Sequence, residues 1–206
     1  MELLLIRHGL PVRRELTEGR ADPELSADGH RQAELLATYL ATERIHAIYA
    51  SPLRRAHQTA EPLARALGLG ISTEDGVAEY DRDSNEYVPV EELKAANDPR
   101  WQAMLAGEWD NPDVPRDVWV ANVVGTIERL VDTHPSQRIA VVCHGGVLSS
   151  YLGWVLGLPD ATNFFYPNYT SIHRVAAARS GERNILTINE TYHLRGTGLP
   201  TGIYKG

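Results

Sequence analysis

Short apolar runs that stop abruptly at polar residues recur along the chain. Residues 3–6 form one such run, and residues 47–50 and 139–143 form two more. A strand that is buried on both faces of a parallel sheet is built from an unbroken apolar run of about this length, so each run predicts a buried strand. Residues 172–176 and 185–188 are further strand candidates.

Between these runs, apolar residues recur at spacings of three and four, as on the buried face of a helix. Leu36 and Leu40 share one face of a helix that we expect to start at Ser26. A second helix is expected to have Ser51 as its N-cap and to stop at Gly68. Three more helices are predicted near residues 90–105, 118–134 and 147–157. Helices that alternate with buried strands indicate a layered α/β domain with a mainly parallel sheet.

The length of the chain, 206 residues, is sufficient to bury a core, and we expect a single domain over residues 1–206. Residues 81–118 differ from the rest because they are polar and contain four prolines. We interpret them as an insertion without a core of its own. It is expected to cover the side of the sheet where the predicted active site lies.

Charge and cysteine content exclude several classes of protein. The chain has 20 Lys and Arg against 27 Asp and Glu, a net charge of −7, which argues against a broad nucleic-acid-binding surface. The single cysteine, Cys143, excludes an intramolecular disulfide framework and a cysteine-rich zinc site. The apolar residues 1–6 are too few for a signal peptide or a membrane span. We therefore expect a soluble, cytoplasmic protein that binds neither membranes nor nucleic acid.

Polar residues follow three of the predicted strands directly. The sequences are Arg7-His8-Gly9, Ser51-Pro52-Leu53-Arg54-Arg55 and His144-Gly145-Gly146. In α/β folds, the carboxyl ends of parallel strands form the rim where ligands bind. The pattern therefore predicts that arginines and histidines meet at one rim.

Such a set of side chains suits phosphoryl transfer. Arg7 and Arg54 each offer forked donors to phosphoryl oxygens, and Arg54 lies in the first turn of its helix, where backbone N–H groups add to an anion site. A neutral histidine is able to attack phosphorus, and a second histidine stabilises the developing charge. Gly145 lets its backbone N–H approach the phosphoryl group closely.

Four motifs together resemble the histidine phosphatase superfamily, the phosphoglycerate-mutase-like group. They are Arg7-His8-Gly9, Leu25-Ser26-Ala27-Asp28-Gly29 with Gln32-Ala33, Ser51-Pro52-Leu53-Arg54-Arg55-Ala56 with Gln58-Thr59-Ala60, and His144-Gly145-Gly146. The resemblance implies a three-layer α/β/α sandwich and a reaction without metal or organic cofactor. It also implies that His8 is the nucleophile and that Arg7, Arg54 and His144 form the phosphate pocket.

The resemblance further implies a carboxylic acid that protonates the leaving oxygen, carried by a segment after the third strand. Glu79 is our choice in the sequence Val77-Ala78-Glu79-Tyr80-Asp81, and Asp81 stays open as the alternative. The acid has to hold a proton near neutral pH, so we expect it to be partly buried.

Other residues are interpreted as structural. Arg55 is expected to be a solvated helix residue, and Arg13, Arg14 and Arg20 are interpreted as solvated loop charges. Cys143 is expected in the core, because a cysteine phosphatase would carry arginine where this chain has Ser149. The aromatic residues of the insertion, Trp101 and Trp109 with Tyr80 and Tyr87, are expected to pack in the core and lid.

Three functions fit these residues: a phosphatase, a mutase, and a non-catalytic protein that binds phosphorylated ligands. Mutases of the resembled family usually continue the first motif with Glu, then Trp and Asn, whereas this chain continues with Leu10-Pro11-Val12. We therefore favour hydrolysis of a small phosphorylated metabolite through a phosphohistidine, by a metal-independent phosphomonoesterase of the histidine acid phosphatase type. The expected ligands are that substrate and inorganic phosphate. A homodimer is possible, although no residue pattern demands one.

Overall fold

The strands and helices of the protein come from a computed structural model that describes residues 1–106, 114–158 and 164–203. The strands are β1 (Glu2–Arg7), β2 (Arg14–Glu15), β3 (Ala47–Ala50), β4 (Ile71–Thr73), β5 (Glu86–Tyr87), β6 (Arg138–Cys143), β7 (Ile172–Ala177) and β8 (Arg183–Glu190). The helices are α1 (Ala27–Leu40), α2 (Arg54–Leu67), α3 (Val90–Ala95), α4 (Pro99–Ala106), α5 (Arg116–Thr133) and α6 (Gly145–Val155).

The main sheet has the strand order β4-β3-β6-β1-β7-β8 in the described part of the chain. β4, β3, β6 and β1 are parallel, and β7 and β8 are antiparallel to their neighbours. Arg7 lies opposite Cys143, and Ala50 lies opposite Val142. The carboxyl ends of β1, β3 and β6 therefore meet at one edge of the sheet, as the sequence predicts.

Helices cover both faces of this sheet. Alternate residues of β1 point to opposite faces, because side chains alternate along a strand. Leu4 and Ile6 belong to a core cluster with residues of α1 and α2, whereas Leu3 and Leu5 belong to a cluster with residues of α5 and α6. The predicted three-layer α/β/α arrangement with a mainly parallel sheet is thereby confirmed.

Two of the helix predictions need correction. The N-cap of α2 is Leu53, not Ser51, and the first helical residue is Arg54. The helix predicted near residues 90–105 is two helices, α3 and α4. Asn97 has the left-handed φ of 49°, and α4 starts anew at Pro99, whose ring removes a backbone donor. By contrast, α1 is capped by Ser26 as expected, and α2 ends at Gly68 with φ 66°.

The insertion packs over the carboxyl edge of the main sheet. β5 pairs with β2 in a two-stranded sheet, and α3 and α4 follow. These strands and β4 were not predicted, because they are short and largely polar. Trp109 lies outside the described residues. No helix in the described ranges is both long and apolar enough to cross a lipid bilayer.

Candidate active site

A cavity of ≈ 180 Å³ opens at the carboxyl edge of β1 and β6, beneath the insertion. Its lining includes Arg7, His8, Arg55, Glu79, Gly145 and Gly146. Of the residues predicted for the site, Arg54 and His144 are not part of this lining. Strand ends and helix starts place the two arginines, His8 and the two glycines, whereas Glu79 follows the short 3-10 turn Asp75–Val77.

His8 follows β1 and is buried, and its backbone N–H donates to the carbonyl of Cys143 at 3.0 Å. Its ring Nδ1 lies 2.7 Å from the carbonyl oxygen of Gly9. Because a carbonyl only accepts hydrogen bonds, Nδ1 carries the proton and Nε2 keeps its lone pair. Burial and the charges of Arg55 and Arg7 hold the pKa of His8 well below its usual range. His8 is therefore a neutral imidazole, as a nucleophile has to be.

His144 follows β6, and its ring centroid lies 5.1 Å from that of His8. Its Nε2 lies 2.7 Å from Oγ of Ser51, which accepts a hydrogen bond from the N–H of Leu53 at 3.3 Å. Burial, followed by the charge of Arg55, lowers the pKa of His144, so the ring is neutral. Nδ1 of His144 is buried and has no hydrogen-bond partner among the described residues. If the Ser51 hydroxyl donates to Nε2, the ring proton lies on Nδ1, where it can be donated to an anion.

Arg7 ends β1 and directs its guanidinium group into the same cavity. The guanidinium carbon lies 4.3 Å from the ring centre of Tyr169, and Nη1 donates to the carbonyl of Pro167 at 2.5 Å. The Nε of Arg7 is buried without a partner in the described chain. A buried donor of this kind is costly unless it bonds a ligand.

The second arginine of the cavity is Arg55, not Arg54. The Arg55 side chain is only 2% exposed, lies 4.7 Å from the ring centre of Tyr87, and has a buried Nε without a partner in the described residues. The Arg54 side chain is 51% exposed and pairs with Glu24 at 2.9 Å. The expectation that Arg55 is solvated is wrong, and the structure places the side chain of Arg54, the predicted phosphate ligand, outside the cavity lining.

The periodicity of α2 explains this reversal. Arg55 and Thr59 are one turn apart and share a face with the buried Ala56 and Ala60. Thr59 Oγ1 donates to the carbonyl of Arg55 at 2.7 Å and accepts from the N–H of Gly9 at 2.9 Å. This face therefore turns toward the loop that carries His8. The small apolar residues next to Arg55 are the sequence signal that identifies it.

The carboxyl group of Glu79 closes the cavity on the side of α6. Its Oε2 accepts from the N–H of Gly146 and its Oε1 from the N–H of Tyr80, both at 3.0 Å. Burial, reinforced by the neighbouring Asp81, raises the pKa of Glu79. Burial also raises the pKa of Asp81, which lines the cavity as well. The site thus holds a carboxyl group that keeps its proton to a higher pH than an exposed one.

A family model described as the histidine phosphatase superfamily (branch 1) matches residues 3–191. The chain belongs to this superfamily. It is 32% identical to phosphoserine phosphatase 1 of Hydrogenobacter thermophilus over 94% of each chain. It is 29% identical to phosphoglycerate mutase-like protein 4 of Arabidopsis thaliana, over 72% of this chain and 68% of the relative.

Among solved structures, phosphoserine phosphatase of Entamoeba histolytica in complex with 3-phosphoglyceric acid superposes with a TM-score of 0.75. The two chains are 26% identical, and the match covers 94% of this histidine phosphatase and 98% of the other chain. A mutant of the same phosphatase in complex with phosphoserine gives a TM-score of 0.74 at 25% identity, with the same coverage.

The glycines of the third motif have different roles in this histidine phosphatase. Gly145 is the first residue of α6, and the positive end of the helix dipole faces the cavity. A Cβ at Gly146 would overlap Oε1 of Glu79, whereas a Cβ at Gly145 would meet Pro167 at 3.6 Å. Gly146 is therefore the glycine that lets the Glu79 carboxyl group approach the helix.

Sequence reasoning missed Ser51 as a partner of His144, because it assigned the Ser51 side chain to a helix cap. It was right about Cys143, which is buried in the core and whose thiol pKa is raised by burial. Arg13 pairs with Glu15, and Arg14 with Glu24, outside the cavity lining.

Proposed function

We propose that this protein is a phosphomonoesterase that hydrolyses a small phosphorylated metabolite through a phosphohistidine at His8. The observation that carries the proposal is that two buried guanidinium groups and the neutral His8 line one cavity, with the neutral His144 packed against the His8 ring. His8 and His144 have ring centroids 5.1 Å apart, and both arginines have a buried Nε without a hydrogen-bond partner in the described chain. This arrangement matches a phosphoryl group, which has several oxygens and a phosphorus open to in-line attack.

In the first step, Arg7, Arg55 and His144 bind the phosphoryl oxygens. Nε2 of His8 attacks phosphorus, and the bond between phosphorus and the leaving oxygen breaks. The leaving oxygen takes the proton of the acid. Charge that develops on the phosphoryl oxygens is stabilised by donors that are already in place.

In the second step, the ionised acid takes a proton from water. The resulting hydroxide attacks phosphorus, the phosphorus–nitrogen bond breaks, and neutral His8 returns with inorganic phosphate. We assign the acid to Glu79 rather than Asp81, because two backbone N–H groups hold its carboxyl group beside α6. Its raised pKa suits the first step, and the carboxylate left afterwards is a base for the second.

The reaction is proposed to need no metal ion. The chain itself supplies positive potential through two guanidinium groups, His144 and the amino end of α6. Hydrolysis is favoured over transfer to a second hydroxyl because the loop after Gly9 reads Leu10-Pro11-Val12-Arg13-Arg14, without the Glu, Trp and Asn usual in mutases of the family. Its two arginines form ion pairs with Glu15 and Glu24 outside the cavity lining.

The test is hydrolysis of p-nitrophenyl phosphate by the purified protein in the presence of EDTA. Wild type should be active, and His8→Ala should lose activity by at least about a thousandfold, as expected for a removed nucleophile. His30→Ala, which alters an exposed histidine, is the control. Rapid quenching in alkali should trap a phosphate adduct on a peptide that contains His8.

Three results contradict the proposal. Full activity of His8→Ala excludes the nucleophile, and activity that requires a divalent ion excludes the metal-independent mechanism. Rapid interconversion of phosphoglycerates would identify a mutase.

A further inference from the structure

The cavity that contains Arg7, His8 and Glu79 is also lined by residues in and next to the insertion. We refer to this part of the lining as the outer compartment, and it includes Tyr80, Glu86, Leu93, Arg100, Arg116 and Trp119. Since the proposed acid Glu79 has to reach the leaving oxygen, the leaving group of the substrate occupies the same cavity. These residues are therefore candidates for determining which leaving groups bind.

The two arginines of the outer compartment differ in their partners. Arg100 pairs with Asp98 at 2.8 Å and with Glu86 at 2.9 Å, so its charge is balanced within the protein. Arg116 has no carboxylate within ion-pair distance among the described residues, and its Nε is buried without a hydrogen-bond partner there. Arg116 as a whole is only partly buried, but its buried Nε is a donor that lacks a partner in the described chain. An anion that arrives with a ligand would supply this partner.

Aromatic contacts place Arg116 directly behind the acid segment. The guanidinium carbon lies 5.8 Å from the ring centre of Tyr80, and the Tyr80 ring lies 5.2 Å from that of Trp119. Trp119 donates from Nε1 to the carbonyl of Ala78 at 3.2 Å, next to Glu79. Tyr80 and Trp119 therefore connect Arg116 to the segment that carries Glu79.

We propose that Arg116 binds a carboxylate on the leaving group and so makes the enzyme selective for phosphomonoesters that carry one. This inference rests on the proposed phosphatase function. A single guanidinium group without an ion pair among the described residues matches one carboxylate in charge and in its forked geometry. A second phosphate would bring about two charges to this one guanidinium group.

The test compares substrates that differ only by a carboxylate: phosphoserine against phosphoethanolamine, with p-nitrophenyl phosphate as a further carboxylate-free substrate. Wild type should prefer phosphoserine in kcat/KM. Arg116→Met should lower kcat/KM for phosphoserine by about tenfold to a hundredfold, mainly through KM. It should leave both carboxylate-free substrates within about twofold. Arg116→Lys should recover part of the lost kcat/KM, because lysine restores the positive charge but not the forked pair of N–H donors.

Arg129→Met is the matched control, because Arg129 lies on the same helix, is 54% exposed and pairs with Glu74. It should leave the preference unchanged, and thermal unfolding of each variant checks that the fold persists.

An equal loss on all substrates would assign Arg116 a structural role, and no loss on any would exclude contact with the substrate; either result overturns the inference. Selective loss on an alkyl bisphosphate instead of phosphoserine overturns the carboxylate assignment. In each of these cases wild type still hydrolyses p-nitrophenyl phosphate. Failure of wild type on that substrate overturns the proposed function itself.

Discussion

Oγ of Ser51 lies 2.7 Å from Nε2 of His144, although the two residues are 93 positions apart in the chain. The pairing of β3 with β6 brings them together, because Ala50 lies opposite Val142 at the strand ends. In the proposed mechanism, the hydroxyl group donates to Nε2, so that the proton of His144 lies on Nδ1, the ring nitrogen without a partner among the described residues. We therefore propose Ser51 as a positioning residue, which acts on the substrate through His144.

Replacing Ser51 with alanine should lower kcat about tenfold, because a buried imidazole nitrogen without its partner costs on the order of 1–3 kcal/mol. Ser51→Thr keeps the hydroxyl and should restore most of the activity. The measurement is kcat for p-nitrophenyl phosphate, with thermal unfolding as the control for folding. Equal activity of the alanine and threonine variants would show that the hydrogen bond does not matter for catalysis.

Adjacent arginines provide a direct comparison in α2. Arg55→Met should lower kcat/KM by about a hundredfold or more, because it removes a buried donor to the phosphoryl group. Arg54→Met should change it less than about twofold, because an exposed ion pair contributes little. The inhibition constant of inorganic phosphate should rise for the Arg55 variant only. The reverse ranking of the two variants would return the phosphate-binding role to Arg54.

Neighbouring glycines offer a second matched pair. Gly146→Ala places a methyl group against Oε1 of Glu79 and should displace this carboxyl group, which is the far end of a flexible side chain. Turnover of an alkyl phosphate, whose leaving oxygen needs a proton, should fall by about tenfold or more. Gly145→Ala meets Pro167 only at 3.6 Å and should be tolerated better. Equal effects of both changes would argue against the close approach of Glu79 to α6.

The pH dependence of kcat/KM follows from two opposite pKa shifts. Burial raises the pKa of Glu79, so the proton needed in the first step is lost only when the pH rises through this raised value. Burial and two arginines lower the pKa of His8, so the imidazole gains a proton only when the pH falls well below the usual range of histidine. The profile for an alkyl phosphate should therefore be a bell with a broad top.

Glu79→Gln should remove the falling limb of the pH profile on the alkaline side. It should also reduce turnover of alkyl phosphates much more than turnover of p-nitrophenyl phosphate, because the p-nitrophenyl leaving group needs less help from an acid. Asp81→Asn is the control. If Asp81→Asn removes the limb and Glu79→Gln does not, Asp81 is the acid.

Much of the fold could be predicted from the sequence, because the buried faces of strands and helices require apolar residues in unbroken runs or at regular spacings. The runs of β1, β3 and β6 are unbroken because both faces of these strands are covered, and the motif residues at their ends follow from where each run stops. The short strands β4 and β5 show no such apolar pattern in the sequence, because they bury little apolar surface. Ser51 was misassigned because its hydroxyl suits a helix cap and an imidazole equally well when judged locally.

By itself, the sequence determined the layered α/β architecture, the rim at the ends of the strands, and the meeting of Arg7, His8 and His144 there. Only the tertiary structure decided that Arg55 and not Arg54 enters the cavity, and that Arg116 lines its outer wall. Arg54 and Arg55 have the same chemistry, and about 100° of helical rotation separates neighbouring residues. Which of the two arginines lines the cavity therefore depends first on the residue at which the helix begins. It also depends on contacts between the helix and a loop some fifty residues away along the chain, such as the hydrogen bond from the N–H of Gly9 to Thr59.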